Sequence, residues 1–174
     1  AVGTAAGLMP VGLTEGLKQF QGVQRRLDLR GTVGGVSIYD DFAHHPTAVE
    51  ETLRAVRAAH PGRRIWAIFE PRSATACRNL FQKEIAEALS LGDEVVVGAV
   101  FRSNLADAER LSEPQVVSDV KAAGTPARHI PKGEEIVATV AREGQEGDLV
   151  VVMSNGDFGG IHERLLQALR ERSA

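Results

Sequence analysis

The chain has 174 residues, about one domain's worth, and a domain of this size buries roughly 70% of its unfolded surface without help from disulfides or metals. With 43% hydrophobic and 25% charged residues, 18 Gly and 7 Pro, it is neither disordered nor collagen-like. Its 20 Lys and Arg against 23 Asp and Glu give a net charge of −3, which argues against a dedicated nucleic-acid domain because no basic surplus faces a phosphate backbone.

Residues 10–20 are expected to form a short helix, followed by a basic connector, Gly22-Val23-Gln24-Arg25-Arg26. Residues 27–30 and 33–39 read as two strands around Gly31-Thr32, with Gly34-Gly35 loosening the boundary. Residues 46–60 read as a helix: Pro46 suits its first turn, Val49, Leu53 and Val56 share a face, and Pro61-Gly62 stop it. Residues 64–69 have the apolar character of a strand buried on both sides. A second helix is expected over 75–91, with Phe81, Ile85 and Leu89 in register. Strands at 93–97, 127–130 and 148–153 then alternate with helices at 113–123, 133–142 and 161–171. Residues 98–112 fit neither pattern and hold an exposed loop, Phe101-Arg102-Ser103-Asn104. The alternation predicts an α/β fold of Rossmann-like type: a mainly parallel sheet of about six strands with helices on both faces, plus an N-terminal β-hairpin.

The single cysteine, Cys77, allows no internal disulfide and fits a reducing compartment. No apolar run approaches the roughly 20 residues of a membrane span, and the start, Ala1-Val2-Gly3-Thr4, lacks the pattern of a signal peptide. A cytoplasmic protein without membrane contact is expected, and the missing initiator Met points to a piece of a longer one.

In such a sheet ligands collect beyond the C-terminal strand ends, and three of the loops there are chemically unusual. The first, Asp40-Asp41-Phe42-Ala43-His44-His45-Pro46, sets two carboxylates and two imidazoles between a strand and a helix. A carboxylate there can accept ribose hydroxyls and an imidazole can stabilise an anion. Equally, Asp40 or Asp41 can cap the helix while the histidines fill a polar loop. Adjacent histidines alone lack a metal-ligand spacing, so no metal site is assigned. The second loop, Glu70-Pro71-Arg72-Ser73, projects Arg72 from a turn fixed by Pro71, as a carboxylate clamp or as a solvated arginine. The third, Met153 to His162, is a glycine-rich turn before a helix, suited to anions or to tight packing. It is not a dinucleotide fingerprint, and no triphosphate-binding loop of the GxxxxGK[ST] type occurs anywhere in the chain.

Tyr39-Asp40-Asp41-Phe42-Ala43-His44-His45-Pro46-Thr47-Ala48 resembles the signature that opens the C-terminal domain of the Mur ligases, the ATP-dependent enzymes that build the peptide stem of peptidoglycan. The connector at 22–26, the Glu-Pro-Arg-Ser loop and the Met-Ser-Asn-Gly-x-Phe-Gly-Gly-Ile-His turn support the resemblance in order, with Asp157 where Gly is frequent. Within the family the motifs are most similar to the members that attach L-Ala-γ-D-Glu-meso-diaminopimelate to UDP-N-acetylmuramate in peptidoglycan recycling. The L-alanine-adding members usually place a histidine between the residues matching Pro71 and Arg72, and Gly at Ala43. The resemblance implies that residues 1–21 are the tail of a central ATPase domain and 22–174 a C-terminal domain. It implies that N-terminal and central domains, missing here, hold most of the ATP, Mg²⁺ and nucleotide sugar, so that the fragment alone is inactive. It assigns Asp41 to the ATP ribose, Asp41 and His44 to the reaction centre, and Arg72, Ser73, Asn155 and Gly156 to the murein tripeptide. The alternatives are an L-alanine-adding ligase domain and a non-catalytic Rossmann-like nucleotide-binding module.

Overall fold

A computed structural model describes residues 25–101 and 105–173; the helix expected over residues 10–20 lies outside them. The described chain opens with β1 (Asp28–Val33) and β2 (Val36–Asp41), which pair antiparallel. Their turn falls at Gly34-Gly35, not at Gly31-Thr32. A two-residue hairpin turn needs left-handed backbone at both positions, which Gly34 (φ 55°) and Gly35 (φ 76°) adopt and a β-branched Thr32 would resist. Gly31 instead sits where the register shifts within β1, a bulge inside the strand.

From β2 the chain alternates through α1 (Pro46–Ala59), β3 (Ile65–Phe69), α2 (Gln82–Leu89), β4 (Glu94–Val97), α3 (Glu113–Ala122), β5 (Ala127–His129), α4 (Gly133–Glu143), β6 (Leu149–Met153) and α5 (Ile161–Ser173). Six strands form one sheet in the order β1-β2-β6-β3-β4-β5, parallel at every pair except β1–β2. The last strand therefore inserts between the second and third. This is the expected mainly parallel α/β sheet with an N-terminal hairpin.

Every residue of β3 and β6 is buried, which is why both read as unbroken apolar runs. Alternate side chains feed two cores. Ala67, Phe69, Val97, Val151 and Met153 pack with Val49, Leu53, Ile85, Leu89 and Val116 of α1, α2 and α3. On the other face Ile38, Trp66, Ile68, Val150 and Val152 pack with Ile136, Val140, Leu165 and Leu169 of α4 and α5. Each fully buried side chain of this kind contributes about 1.5–3 kcal/mol.

The second helix begins later than its apolar period suggests. α2 starts at Gln82, after a 3-10 turn at Asn79–Phe81, and Phe81 (φ −124°, ψ 27°) is not helical. Tertiary ties hold the preceding segment off the helix axis: Cys77 Sγ donates to Pro71 O, the Arg78 backbone bridges to Arg110, and the Arg78 guanidinium pairs with Glu109.

At the N-terminal strand ends, Asp148 is 3% exposed and accepts from Arg64 Nε (3.0 Å) and Nη2 (2.6 Å), Trp66 Nε1 (3.0 Å) and the Gln145 N–H (2.9 Å). Burial alone would raise its pKa; the Arg64 bond, with the Gln145 and Trp66 donors, outweighs that and holds the carboxyl below its ordinary 3.8. A depressed folded pKa stabilises the fold above the unfolded value, and the contribution disappears as the pH falls through the folded one. Asp148→Asn is expected to lower the unfolding free energy by about 2–3 kcal/mol at pH 7, because Arg64 loses its hydrogen-bonded carboxylate and keeps only the more distant Glu94 and Asp93. Denaturant melts at pH 7 and pH 3 should show the gap between the two proteins narrowing in acid.

Candidate functional site

Parallel register places Asp41, Met153, Phe69 and Val97 side by side at the C-terminal strand ends. Backbone bonds carry the alignment one residue further: Ser154 N–H to Asp41 O (3.1 Å), Glu70 N–H to Met153 O (3.0 Å) and Gly98 N–H to Phe69 O (2.8 Å). The loops carrying His44, Arg72 and Asn155 thus leave adjacent strands along one rim.

In the first loop Asp41, 2% exposed, faces inward. Its Oδ1 accepts the Ala43 N–H (2.7 Å) and the Thr52 hydroxyl (3.2 Å), and its Oδ2 the Leu27 N–H (2.8 Å). The carboxylate shapes the loop and fastens the connector to it. It does not cap α1, whose N-cap residue His45 makes no side-chain bond. His44 is half-buried, with Nδ1 2.9 Å from Phe42 O and its ring edge-on to Phe42. A carbonyl at that distance requires Nδ1 to carry the proton, which leaves Nε2 as the acceptor of the neutral ring. His45 is exposed and packs its ring against Phe81 at 4.9 Å.

Arg25, which the sequence presents only as part of a basic connector, organises the rim. Its Nε donates to Asp40 Oδ1 (3.1 Å), and its Nη2 donates to Ser154 O (2.7 Å) and Gly156 O (2.6 Å). The partner, Asp40, is 4% exposed and also lies 3.4 Å from Nε2 of the buried His162. Burial pushes the His162 pKa down, aided by Arg30 and Arg25; Asp40 and Glu163 oppose it without reversing the shift. A cleft of about 300 Å³ lies over this cluster, lined by Arg25, Arg30, Asp40, Gly156, Asp157 and His162 among others.

The second and third loops interlock. Ser154, fully buried, donates its hydroxyl to Glu70 Oε2 and accepts the Gly156 N–H (3.0 Å). Arg72 Nη1 lies 3.6 Å from Glu70 Oε1 and 3.8 Å from Asp157 Oδ1. At Gly156 a Cβ would collide with Nε, Cδ and Cζ of Arg72, so any side chain there displaces the guanidinium. Ser73 Oγ accepts the Ala76 N–H (3.0 Å), closing the turn after Arg72. Arg78 is taken up by Glu109. Among the described residues Asn155 Oδ1 is buried without a hydrogen-bond partner. Among the described residues no group of three or more His, Cys, Asp and Glu is placed to hold a metal ion, and no helix is long and apolar enough to cross a membrane.

A parallel α/β domain with three interlocked loops at its C-terminal rim defines a class built to present side chains to ligands at that edge. A family model described as "Mur ligase, glutamate ligase domain" matches residues 25–156, and the chain belongs to that family. It is 37% identical over 173 residues to the UDP-N-acetylmuramate–L-alanyl-γ-D-glutamyl-meso-2,6-diaminoheptandioate ligase of Escherichia coli, covering 96% of this chain and 35% of that protein. It is 36% identical over 171 residues to the UDP-N-acetylmuramate–L-alanine ligase of Kineococcus radiotolerans, covering 95% and 35%. The crystal structure of a murein peptide ligase from Psychrobacter arcticus superposes with a TM-score of 0.76 at 33% identity, covering 90% of this chain and 32% of that one. The chain spans about a third of the length of the curated relatives it matches.

Gly156→Ala is expected to displace Arg72 while costing the fold less than about 1 kcal/mol, since the colliding atoms belong to a flexible side chain. A crystal structure of the variant, with its melting temperature, checks both halves.

Proposed function

We propose that residues 22–174 form the C-terminal domain, and residues 1–21 the tail of a preceding ATPase domain, of a cytoplasmic ATP-dependent ligase. This enzyme joins L-Ala-γ-D-Glu-meso-diaminopimelate to UDP-N-acetylmuramate in peptidoglycan recycling. The observation that carries this reading is Arg72, a half-buried guanidinium at the rim with carboxylates no closer than 3.6 Å among the described residues, on the same rim as the unpartnered acceptor Asn155 Oδ1. A peptide with a free carboxylate and amide N–H groups answers both.

ATP with Mg²⁺, when bound, supplies the phosphoryl group that activates the lactyl carboxylate of the nucleotide sugar for attack by the peptide amine. Both are assigned mainly to the preceding domain, as the family resemblance implies; this sequence carries no GxxxxGK[ST] motif. The C-terminal domain aligns the amine and closes over the reacting groups, a proximity effect. Arg72, with Ser73 fixing its turn, takes the peptide carboxylate. Asn155 and the backbone of Gly156 take peptide polar groups, and His44 offers Nε2 to the closed reaction centre. Asp41 holds the His44 loop, and the family resemblance assigns it in addition to the ATP ribose.

The L-alanine-adding alternative draws support from the nearly equal identity to the Kineococcus protein. Glu70-Pro71-Arg72 and Ala43 favour the tripeptide. Competition between free L-alanine and the tripeptide in the whole ligase decides, and preference for alanine refutes the tripeptide assignment. A stand-alone nucleotide-binding module would instead bind ATP tightly as the 174-residue chain, which calorimetry reads directly. Arg72→Ala in the whole ligase is expected to raise KM for the tripeptide at least about thirty-fold, the effect of about 2–5 kcal/mol for a desolvated charge pair, with KM for UDP-N-acetylmuramate unchanged. Unchanged tripeptide kinetics would remove Arg72 from the site.

A further inference from the structure

We propose that Phe101 is a positioning residue for Arg72, holding its guanidinium so that the N–H edge meets a substrate carboxylate. The inference rests on the assignment of Arg72 to the peptide carboxylate and adds the residue that presets it.

The Phe101 ring centroid lies 3.8 Å from Arg72 Cζ, a stacked cation–π distance. Phe101 is 56% exposed, so the core does not account for its place. Its position is nevertheless fixed. The Phe101 N–H donates to Pro71 O (2.9 Å), one residue before Arg72, and the Val100 N–H donates to Oε1 of the buried Glu113 (2.9 Å). The bare backbone of Gly156 meets the Arg72 side chain at Nε and Cδ. Stacking occupies a face of the guanidinium and leaves its N–H edge free. Glu70 and Asp157, at 3.6 Å and 3.8 Å, stand outside hydrogen-bond distance of Nη1. The cation is thus oriented and paired ionically with Glu70 and Asp157, while its N–H donors are committed to neither.

Fixing a long side chain before binding removes an ordering cost of about 0.5–1.5 kcal/mol, which corresponds to roughly a two- to tenfold change in affinity. A ring that orients Arg72 should therefore affect ligands that carry the carboxylate and spare those that do not.

The test uses the 174-residue chain, unaltered and as Phe101→Ala, Phe101→Trp and Arg72→Ala, titrated by NMR with L-Ala-γ-D-Glu-meso-diaminopimelate and with the same peptide amidated at its carboxylates. The Arg72 Nε–H resonance is expected to be shifted by the ring current in the unaltered chain and in Phe101→Trp, and to lose that shift in Phe101→Ala. The preference for acid over amide should fall about two- to tenfold in Phe101→Ala, return in Phe101→Trp and vanish in Arg72→Ala. General loosening of the fold would weaken both peptides alike and leave their ratio intact, so an unchanged ratio in Phe101→Ala overturns the proposal while sparing Arg72. An unshifted Arg72 resonance in the unaltered chain also overturns it. Failure of the unaltered chain to prefer the acid would overturn the assignment of Arg72, and this proposal with it.

Discussion

Parallel pairing of β6 with both β2 and β3 sets everything at the rim. Because Asp41, Met153 and Phe69 stand level across three neighbouring strands, the segments that follow them start at one height, with the β6 loop one strand spacing from each of the other two. No loop has to reach for its partner. Ser154, the first residue beyond β6, can bind Glu70 on one side while its carbonyl accepts Arg25 on the other. The register itself follows from burial: shifting either central strand by one position would exchange the side chains meant for the two cores, and both cores are filled.

The charges on that rim divide into two kinds. Arg25 and Asp40 are spent on each other and on the carbonyls of the glycine-rich turn, and removing one would strand the other in a poorly solvated place. Arg72 is held by a ring, a bare backbone and two carboxylates beyond hydrogen-bond distance, which leaves its donors for something from outside. This difference separates the charges that build the rim from the guanidinium proposed to meet the peptide carboxylate.

The architecture was legible because its signals are local. Pro46 and the Val49, Leu53, Val56 face mark α1, and the runs at 65–69 and 149–153 mark the two central strands almost to the residue. The misplacements have physical causes. Gly31 looked like the hairpin turn, but only the Gly34-Gly35 pair supplies two consecutive left-handed positions. The period of Phe81, Ile85 and Leu89 extended the second helix too far back, where bonds from Cys77 and Arg78 to distant segments prevail over local preference. At the site, the two carboxylates and two imidazoles of the first loop, Arg72 and the glycine-rich turn stood out by residue type and position, while the roles given to Asp41, His44, Arg72, Ser73, Asn155 and Gly156 came from the family resemblance. The parts played by Arg25 and Phe101 depend on contacts with residues far along the chain, and no pattern within either neighbourhood announces them.

Trp66 is the only tryptophan in the sequence, and it sits at the other end of β3, fully buried, with its indole N–H on Asp148 and the guanidinium groups of Arg64 and Arg128 near its ring. From Trp66 to Phe69 the strand climbs about 10 Å. The protein therefore carries an intrinsic fluorophore that reports on the integrity of the sheet from the end remote from the ligand-facing edge. Emission from it follows unfolding and stays silent to events at the rim, so loss of binding and loss of structure can be told apart in one cuvette without any added label.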